Sequence, residues 1–167
     1  MYKKIKKLLR QTMSYTVETK LKVGSYSGLI KVNFKSNFTK NTYLGNNVHF
    51  NGLKINGAGK VIIGDNFHSG QECLMITQIH NYDTGNAIPY DDTYILKEIV
   101  IKENVWLGDR VVVLGGVTIE EGAIIQAGSV VVNNIPKYAI VGGHPAKVFK
   151  YRDIEHYKRL RKEGRFN

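Results

Sequence analysis

Apolar positions recur in this chain on a beat of six. Ile101, Leu107, Val113, Ile119, Ile125 and Val131 follow one another at that interval, and Val105, Val111, Val117, Ala123, Ser129 and Ile135 each lie four residues after one of them. A helix repeats its apolar face about every 3.6 residues and a strand every second residue, so neither yields this double spacing. A repeat of six does, and it predicts a parallel β-helix. One apolar side chain per short strand then points at the coil axis. The small or branched residue near each corner lets the chain turn without crowding that axis.

The beat runs earlier in a shifted frame. Val32, Phe38, Leu44 and Phe50 are six apart, as are Ile63, Ser69 and Met75. The step of 13 from Phe50 to Ile63 admits one extra residue, and the step of 26 from Met75 to Ile101 contains an irregular stretch from His80 to Lys97. That stretch holds Pro89, three Asp and three Tyr, and a long loop in a regular solenoid marks a place for function. Corners are rich in Gly, Asn and Asp, as in Gly45-Asn46-Asn47, Gly64-Asp65-Asn66 and Gly108-Asp109. These residues tolerate positive φ and bond locally to the backbone.

Two segments follow a helical period instead. Over residues 1–13, Ile5, Leu8, Leu9 and Met13 share a face, with Lys3, Lys4, Lys6, Lys7 and Arg10 around it. Over residues 153–163, Asp153 is the expected N-cap, Gly164 the stop, and Ile154, Tyr157 and Leu160 one side. A solenoid leaves both ends of its core open, so both helices are expected to cap it. The expectation is one all-β domain over 1–167: helix 1–13, β-helix 32–150 with an inserted loop near 80–98, and helix 153–163.

Length and composition support one domain with a sizeable core and no membrane-spanning run. The charged start predicts no secretory signal, and a cytoplasmic location is expected. A single cysteine, Cys73, excludes an internal disulfide and occupies a small-residue slot of the repeat, where a buried, inert thiol is expected. The net charge of +10 is concentrated at the ends: residues 1–10 hold five Lys/Arg and no acid, residues 147–167 hold eight against three, and the middle is neutral. A nucleic-acid binder carries its charge as a stripe along the body, so no nucleic acid is expected. Basic ends suit an anionic cofactor, a phosphate-bearing acceptor or an anionic membrane, with the N-terminal helix a candidate for peripheral membrane contact.

The five histidines are 49, 68, 80, 144 and 156. No two stand five apart, the spacing seen in the γ-class carbonic anhydrases, so no metal site is expected. His80 stands where the repeat ends and the loop begins. A histidine there can face a groove between coils or subunits, and its near-neutral pKa suits general-base work on a hydroxyl or amine.

The run Ile99-Val100-Ile101-Lys102-Glu103-Asn104-Val105-Trp106-Leu107-Gly108-Asp109 resembles the IGDNVWIG signature of hexapeptide acyltransferases. It continues through Gly115-Gly116-Val117-Thr118-Ile119 and Ala127-Gly128-Ser129-Val130-Val131 to Val141-Gly142-Gly143-His144-Pro145-Ala146-Lys147-Val148. This is similar to the acetyl-CoA-dependent sugar O-acetyltransferases, the branch of the galactoside, maltose and exopolysaccharide enzymes, across roughly residues 44–152.

The resemblance implies a left-handed parallel β-helix, normally a homotrimer, with active sites between subunits. It implies acetyl transfer from acetyl-CoA to a sugar hydroxyl of a surface polysaccharide or its precursor. His80, after the Ile63-Gly64-Asp65-Asn66 turn, would be the base. Ala127 matches a small residue whose backbone meets the pantetheine arm, and Lys147 and Lys150 match basic positions near the CoA phosphates. Trp106 and Asp109 join them on the cofactor side, although Trp106 equally suits a subunit interface. Asn51 lies near an acceptor-binding position, and Tyr82, Asp83 and Asp92 are loop groups suited to sugar hydroxyls. Two departures stand out: Val132-Asn133 replaces the usual Thr-Lys, and His144 replaces the usual Asn. Two alternatives remain: an N-acetyltransferase of nucleotide-linked amino sugars, which an extra domain ahead of the coil would favour and residues 1–31 are too short to hold, and a catalytically silent trimeric scaffold.

Overall fold

The computed structural model describes residues 2–20 and 28–167, with side chains described for 2–12 and 28–167. It opens with α1 (Tyr2–Lys20) and closes with α2 (Ile154–Lys162). Between them lie β1 (Ile30–Phe34), β2 (Thr42–Leu44), β3 (Val48–Asn51), β4 (Lys54–Asn56), β5 (Val61–Ile63), β6 (His68–Gln71), β7 (Leu74–Ile76), β8 (Gln78–His80), β9 (Tyr94–Leu96), β10 (Ile99–Ile101), β11 (Trp106–Leu107), β12 (Val112–Leu114), β13 (Thr118–Ile119), β14 (Ile124–Ile125), β15 (Val130–Val131), β16 (Ala139–Gly142) and β17 (Lys147–Tyr151).

The chain winds as a left-handed parallel β-helix of about six turns. Its three flat sides are sheet I (β1-β3-β6-β11-β14-β16-β17), sheet II (β2-β5-β10-β13) and sheet III (β4-β7-β12-β15). Each turn visits II, then I, then III. Pairing is parallel between coils, and only β16–β17 and the β8–β9 hairpin run antiparallel among the described strands.

The inward columns are those of the six-residue beat. Leu44, Ile63, Ile101 and Ile119 pair in register along sheet II, as do Met75, Val113 and Val131 along sheet III. All are buried, as are the companions Val105, Val111, Val117, Ala123, Ser129 and Ile135. The step from Phe50 to Ile63 is resolved differently from a single inserted residue. Ile55, absent from the six-residue reading, fills the sheet III position beneath Met75, so the step divides into five and eight residues. Gly52, at φ +111°, makes the short corner. Phe38 is only partly buried and meets Phe50 edge-on with ring centres 4.8 Å apart.

The corner between sheets II and I explains its own sequence. Asn47, Asn66 and Asn104 occupy equivalent places on successive turns, each with φ between 55° and 60°. Asn47 Nδ2 donates to Asn66 Oδ1 (2.9 Å), and Asn66 Nδ2 donates to Asn104 Oδ1 (3.0 Å). Asparagine therefore serves twice, tolerating the left-handed backbone and tying each turn to the next.

The helices differ from expectation in extent and anchoring. α1 continues past residue 13 to Lys20 and lies against β1. The side chain of Met13, expected on its apolar face, lies outside the described residues. Asp153 caps α2 as expected, its Oδ1 accepting from His156 N at 2.9 Å, and Gly164 follows the helix at φ +65°. The expected apolar stripe does not bury: no residue of α2 is fully enclosed. The helix is held by a polar latch instead. Tyr157 OH accepts from Asn104 Nδ2 (2.8 Å) and donates to Glu121 Oε1 (3.2 Å), while Arg161 contacts Glu121 (2.6 Å) and Glu103 (3.1 Å).

Candidate active site

The stretch expected to be an irregular loop begins and ends as a hairpin. β8 and β9 pair through Gln78↔Leu96, Ile79↔Ile95 and His80↔Tyr94, projecting from the corner where sheet III turns into sheet II. Thr77 O accepts from Lys97 N at 2.8 Å across its base. The tip is shaped by Asp91, which accepts from Asn86 N (2.7 Å) and from Thr93 N and Oγ1 (2.9 and 2.5 Å). Those bonds hold its carboxyl below the usual range.

His80 is fixed in this hairpin. Its ring stacks on Tyr90 with centres 3.7 Å apart and 17° between planes, and meets Tyr94 at 4.6 Å. Its Nδ1 is buried and has no hydrogen-bond partner among the described residues. Tyr82 and Asp83 are exposed in the same excursion.

A second group of expected residues sits at another corner, between sheets I and III. Ala127 is exposed there, directly over Gly108, where a Cβ would stand 2.6 Å from Ala127 N. Asp109 and Asn51 share this edge and bond to neighbouring turns. Asp109 Oδ1 accepts from Gln71 N (2.7 Å), while Asn51 Oδ1 accepts from Asn33 Nδ2 (2.8 Å) and its Nδ2 donates to Ser69 O (2.7 Å). Both therefore act as ties between turns. Lys147 begins β17 beside Gly142, which faces Gln126 at this end of sheet I.

A third group faces a cleft of about 730 Å³ between sheet I and α2. Trp106, 53% exposed, lines it, as do Lys150, Arg152, His68 and His156. Arg152 Nε donates to Gly122 O (2.6 Å) and its guanidinium lies 5.4 Å from the Tyr157 ring centre. Burial lowers the Arg152 pKa and also that of His68. His68 meets His49 with ring centres 4.1 Å apart and planes tilted by 33°, and the His49 pKa is brought down to about 4 by burial, then by His68 and Lys31. The cleft is cationic and aromatic, suited to an anion bearing a flat ring.

The structure places the expected residues at three locations in the chain. His80, Tyr82 and Asp83 occupy the hairpin; Asn51, Asp109, Ala127 and Lys147 mark one edge; Trp106 and Lys150 enter the cleft. Arg152, His68 and His156 were not anticipated in the cleft. A signal existed for His68: it stands one residue before the inward Ser69, as Trp106 stands before Leu107, and the two pair directly on the outer surface.

Residues 98–133 match the family described as bacterial transferase hexapeptide (six repeats). A Saccharomyces cerevisiae protein provisionally named an acetyltransferase is 32% identical over 123 residues, covering 73% of this chain and 62% of its own. The chain spans less than two thirds of the length of the curated relatives it matches. The hexapeptide-repeat acetyltransferase of Vibrio cholerae is similar at 28% identity and a TM-score of 0.63, over 75% of this chain and 71% of that one. That protein has also been solved with acetyl-CoA. A maltose O-acetyltransferase of Clostridium difficile 630 shares the fold at a TM-score of 0.72 and 23% identity, over 90% of this chain and 84% of that one.

Proposed function

We propose that this chain, which belongs to the hexapeptide-repeat transferases, moves an acetyl group from acetyl-CoA to a hydroxyl of a sugar. The acceptor is a surface polysaccharide or its precursor, met on the cytoplasmic side where acetyl-CoA is made. His80 is the general base. Its Nε2 takes the hydroxyl proton as the oxygen attacks the thioester carbonyl; the C–S bond then breaks, and the imidazolium returns the proton to the departing thiolate.

The observation that carries this reading is the state of the His80 ring. Stacking on Tyr90 fixes its plane, so its nitrogens have fixed directions. For Nε2 to hold a lone pair, Nδ1 must carry the proton, and Nδ1 is buried without a partner among the described residues. His80 and Ala127 stand at different corners of one chain, so a site that uses both draws them from two copies. A homotrimer lets the hairpin of one protomer lie against the edge of the next. Leu74, Val112 and Val130, paired along the outer side of sheet III, give such copies an apolar surface to share. Lys147 and the cationic cleft with Lys150 are the places for the CoA phosphates.

The test is thiol release from acetyl-CoA by the purified chain across a panel of sugar and amino-sugar acceptors, with the product mass read for an added acetyl group. His80→Ala is expected to lower turnover by about 10²–10⁴-fold while the oligomeric mass stays that of a trimer. Lys147→Ala is expected to raise the acetyl-CoA KM about tenfold or more and leave the acceptor KM unchanged. Wild-type turnover in His80→Ala removes the assignment of the base. Turnover confined to amino-sugar acceptors, with acetyl on nitrogen, favours the nucleotide-sugar alternative.

A further inference from the structure

We propose that the first three turns of α1 form an in-plane anchor for an anionic membrane surface. This rests on the distribution of side chains around the helix and does not depend on the acetyl-transfer reading. At about 100° per residue, Tyr2, Ile5, Leu8 and Leu9 fall within an arc of about 120°. Lys3, Lys4, Lys6, Lys7 and Arg10 fill an arc of about 160° on the opposite side. The two arcs do not interleave, and no acidic residue precedes Glu18.

Nothing in the chain covers either arc among the described residues. Tyr2, Ile5, Leu8 and Leu9 are 75%, 52%, 64% and 58% exposed, and none of the five cations pairs with a carboxylate. α1 lies against β1, and every described side chain of the helix, Tyr2 to Thr12, is exposed. In water this part of the 19-residue helix leaves its apolar side chains exposed and its like charges clustered, which weakens it. A surface that accepts both arcs removes both problems. Lipid headgroups of negative charge meet the cations, and the acyl boundary takes the leucines.

Other occupants fit less well. A nucleic acid would use the cations and leave the apolar arc in water. Two α1 helices paired through their apolar arcs would gather ten cations around one narrow bundle with no acid to offset them. No described helix is long and apolar enough to cross a membrane, so the contact is peripheral.

The experiment is co-sedimentation of the full chain with vesicles of phosphatidylcholine, alone or with about one third phosphatidylglycerol. Binding is expected to the mixed vesicles only, and to be lost at high salt. Lys3→Gln, Lys4→Gln and Lys7→Gln together are expected to lower partitioning about 100-fold, roughly fivefold for each cation. Leu8→Gln with Leu9→Gln is expected to abolish binding while the oligomeric mass and thermal unfolding of the coil stay unchanged. Absence of wild-type binding to the anionic vesicles overturns the proposal. So does a leucine variant that binds as the wild type does, because the contact is then one that any polyanion, RNA included, would make. A leucine variant that loses the wild-type oligomeric mass also overturns it, since the apolar arc is then a subunit contact.

Discussion

Removing the Arg161 guanidinium tests how α2 is attached. The Glu121 side chain is only 6% exposed, and its Oε1 receives Arg161 Nη1 at 2.6 Å. In Arg161→Ala the carboxylate keeps Lys137 Nζ at 3.5 Å and the Tyr157 hydroxyl at 3.2 Å. It is therefore not orphaned, which holds the cost below the several kcal/mol of a broken buried pair. It also loses a short, charge-assisted bond in a largely enclosed place, which holds the cost above that of a surface pair. About 2 kcal/mol is expected, the size of a hydrogen bond to a charged group. Because α2 encloses no side chain fully and spans only nine residues, that loss falls on the docking of the helix. Amide hydrogen exchange is the assay. Amides in the last turn of α2 should exchange roughly 30-fold faster, while those of β10 and β13 keep wild-type protection. A double-mutant cycle with Glu121→Gln should give a coupling of at least about 1 kcal/mol. Unchanged protection in α2 would refute the polar latch. Equal loss of protection in the strands would show that helix and coil open as one unit.

Ile119→Asp would place a carboxylate in the inward column of sheet II, where Ile119 has no exposure, and should leave the chain insoluble or unfolded; a soluble variant with a wild-type circular dichroism spectrum would contradict the register. His49 has a pKa near 4 in the fold against about 6.5 unfolded, so between those values the unfolded chain holds a proton that the folded chain refuses. The stability this neutral imidazole contributes is complete above pH 6.5 and is lost as pH falls toward 4. His49→Gln should flatten that part of the curve of unfolding midpoint against pH, and an unchanged slope would discount the site. Cys73 is buried, its Sγ lies 3.2 Å from Gly108 O, and burial pushes the thiol up to about 11. Iodoacetamide at pH 8 should therefore label it only in denaturant, and rapid labelling of the native chain would show that the coil opens there.

The coil was legible because its geometry is local. Each inward residue is separated from the next by a fixed stretch of chain, so a count of six finds Ile101 through Val131 without knowledge of any contact. The same count misread residues 50–63, because five residues around Gly52 and eight beyond Ile55 sum nearly to two ordinary steps. The hairpin was legible as an interruption but not as strands, since Gln78–His80 and Tyr94–Leu96 are too short for a period to show. The cleft was hidden for another reason. Arg152 and Tyr157 reach Trp106 and His68 only after α2 folds back on sheet I, and the latch that brings it there joins Asn104, Glu121 and Glu103 to residues tens of positions away. Position in the repeat gives the depth and face of a residue. It is silent on which polar atoms a neighbouring turn engages, such as Asn51 Nδ2 with Ser69 O and Asp109 Oδ1 with Gln71 N.

The bond between Lys97 N and Thr77 O closes the hairpin at its root, and the strands on either side, β7 and β10, stay in register with their neighbours as if nothing lay between them. The register of the coil is therefore set without residues 79–96, while Gln78 Oε1 still accepts from Ala58 N on the neighbouring turn (3.1 Å). Change in that segment is decoupled from folding. A lineage of such chains can lengthen, shorten or rewrite the arm that carries His80 while every inward column is conserved by packing alone. Variation then accumulates in one excursion, and the frame that presents it stands still.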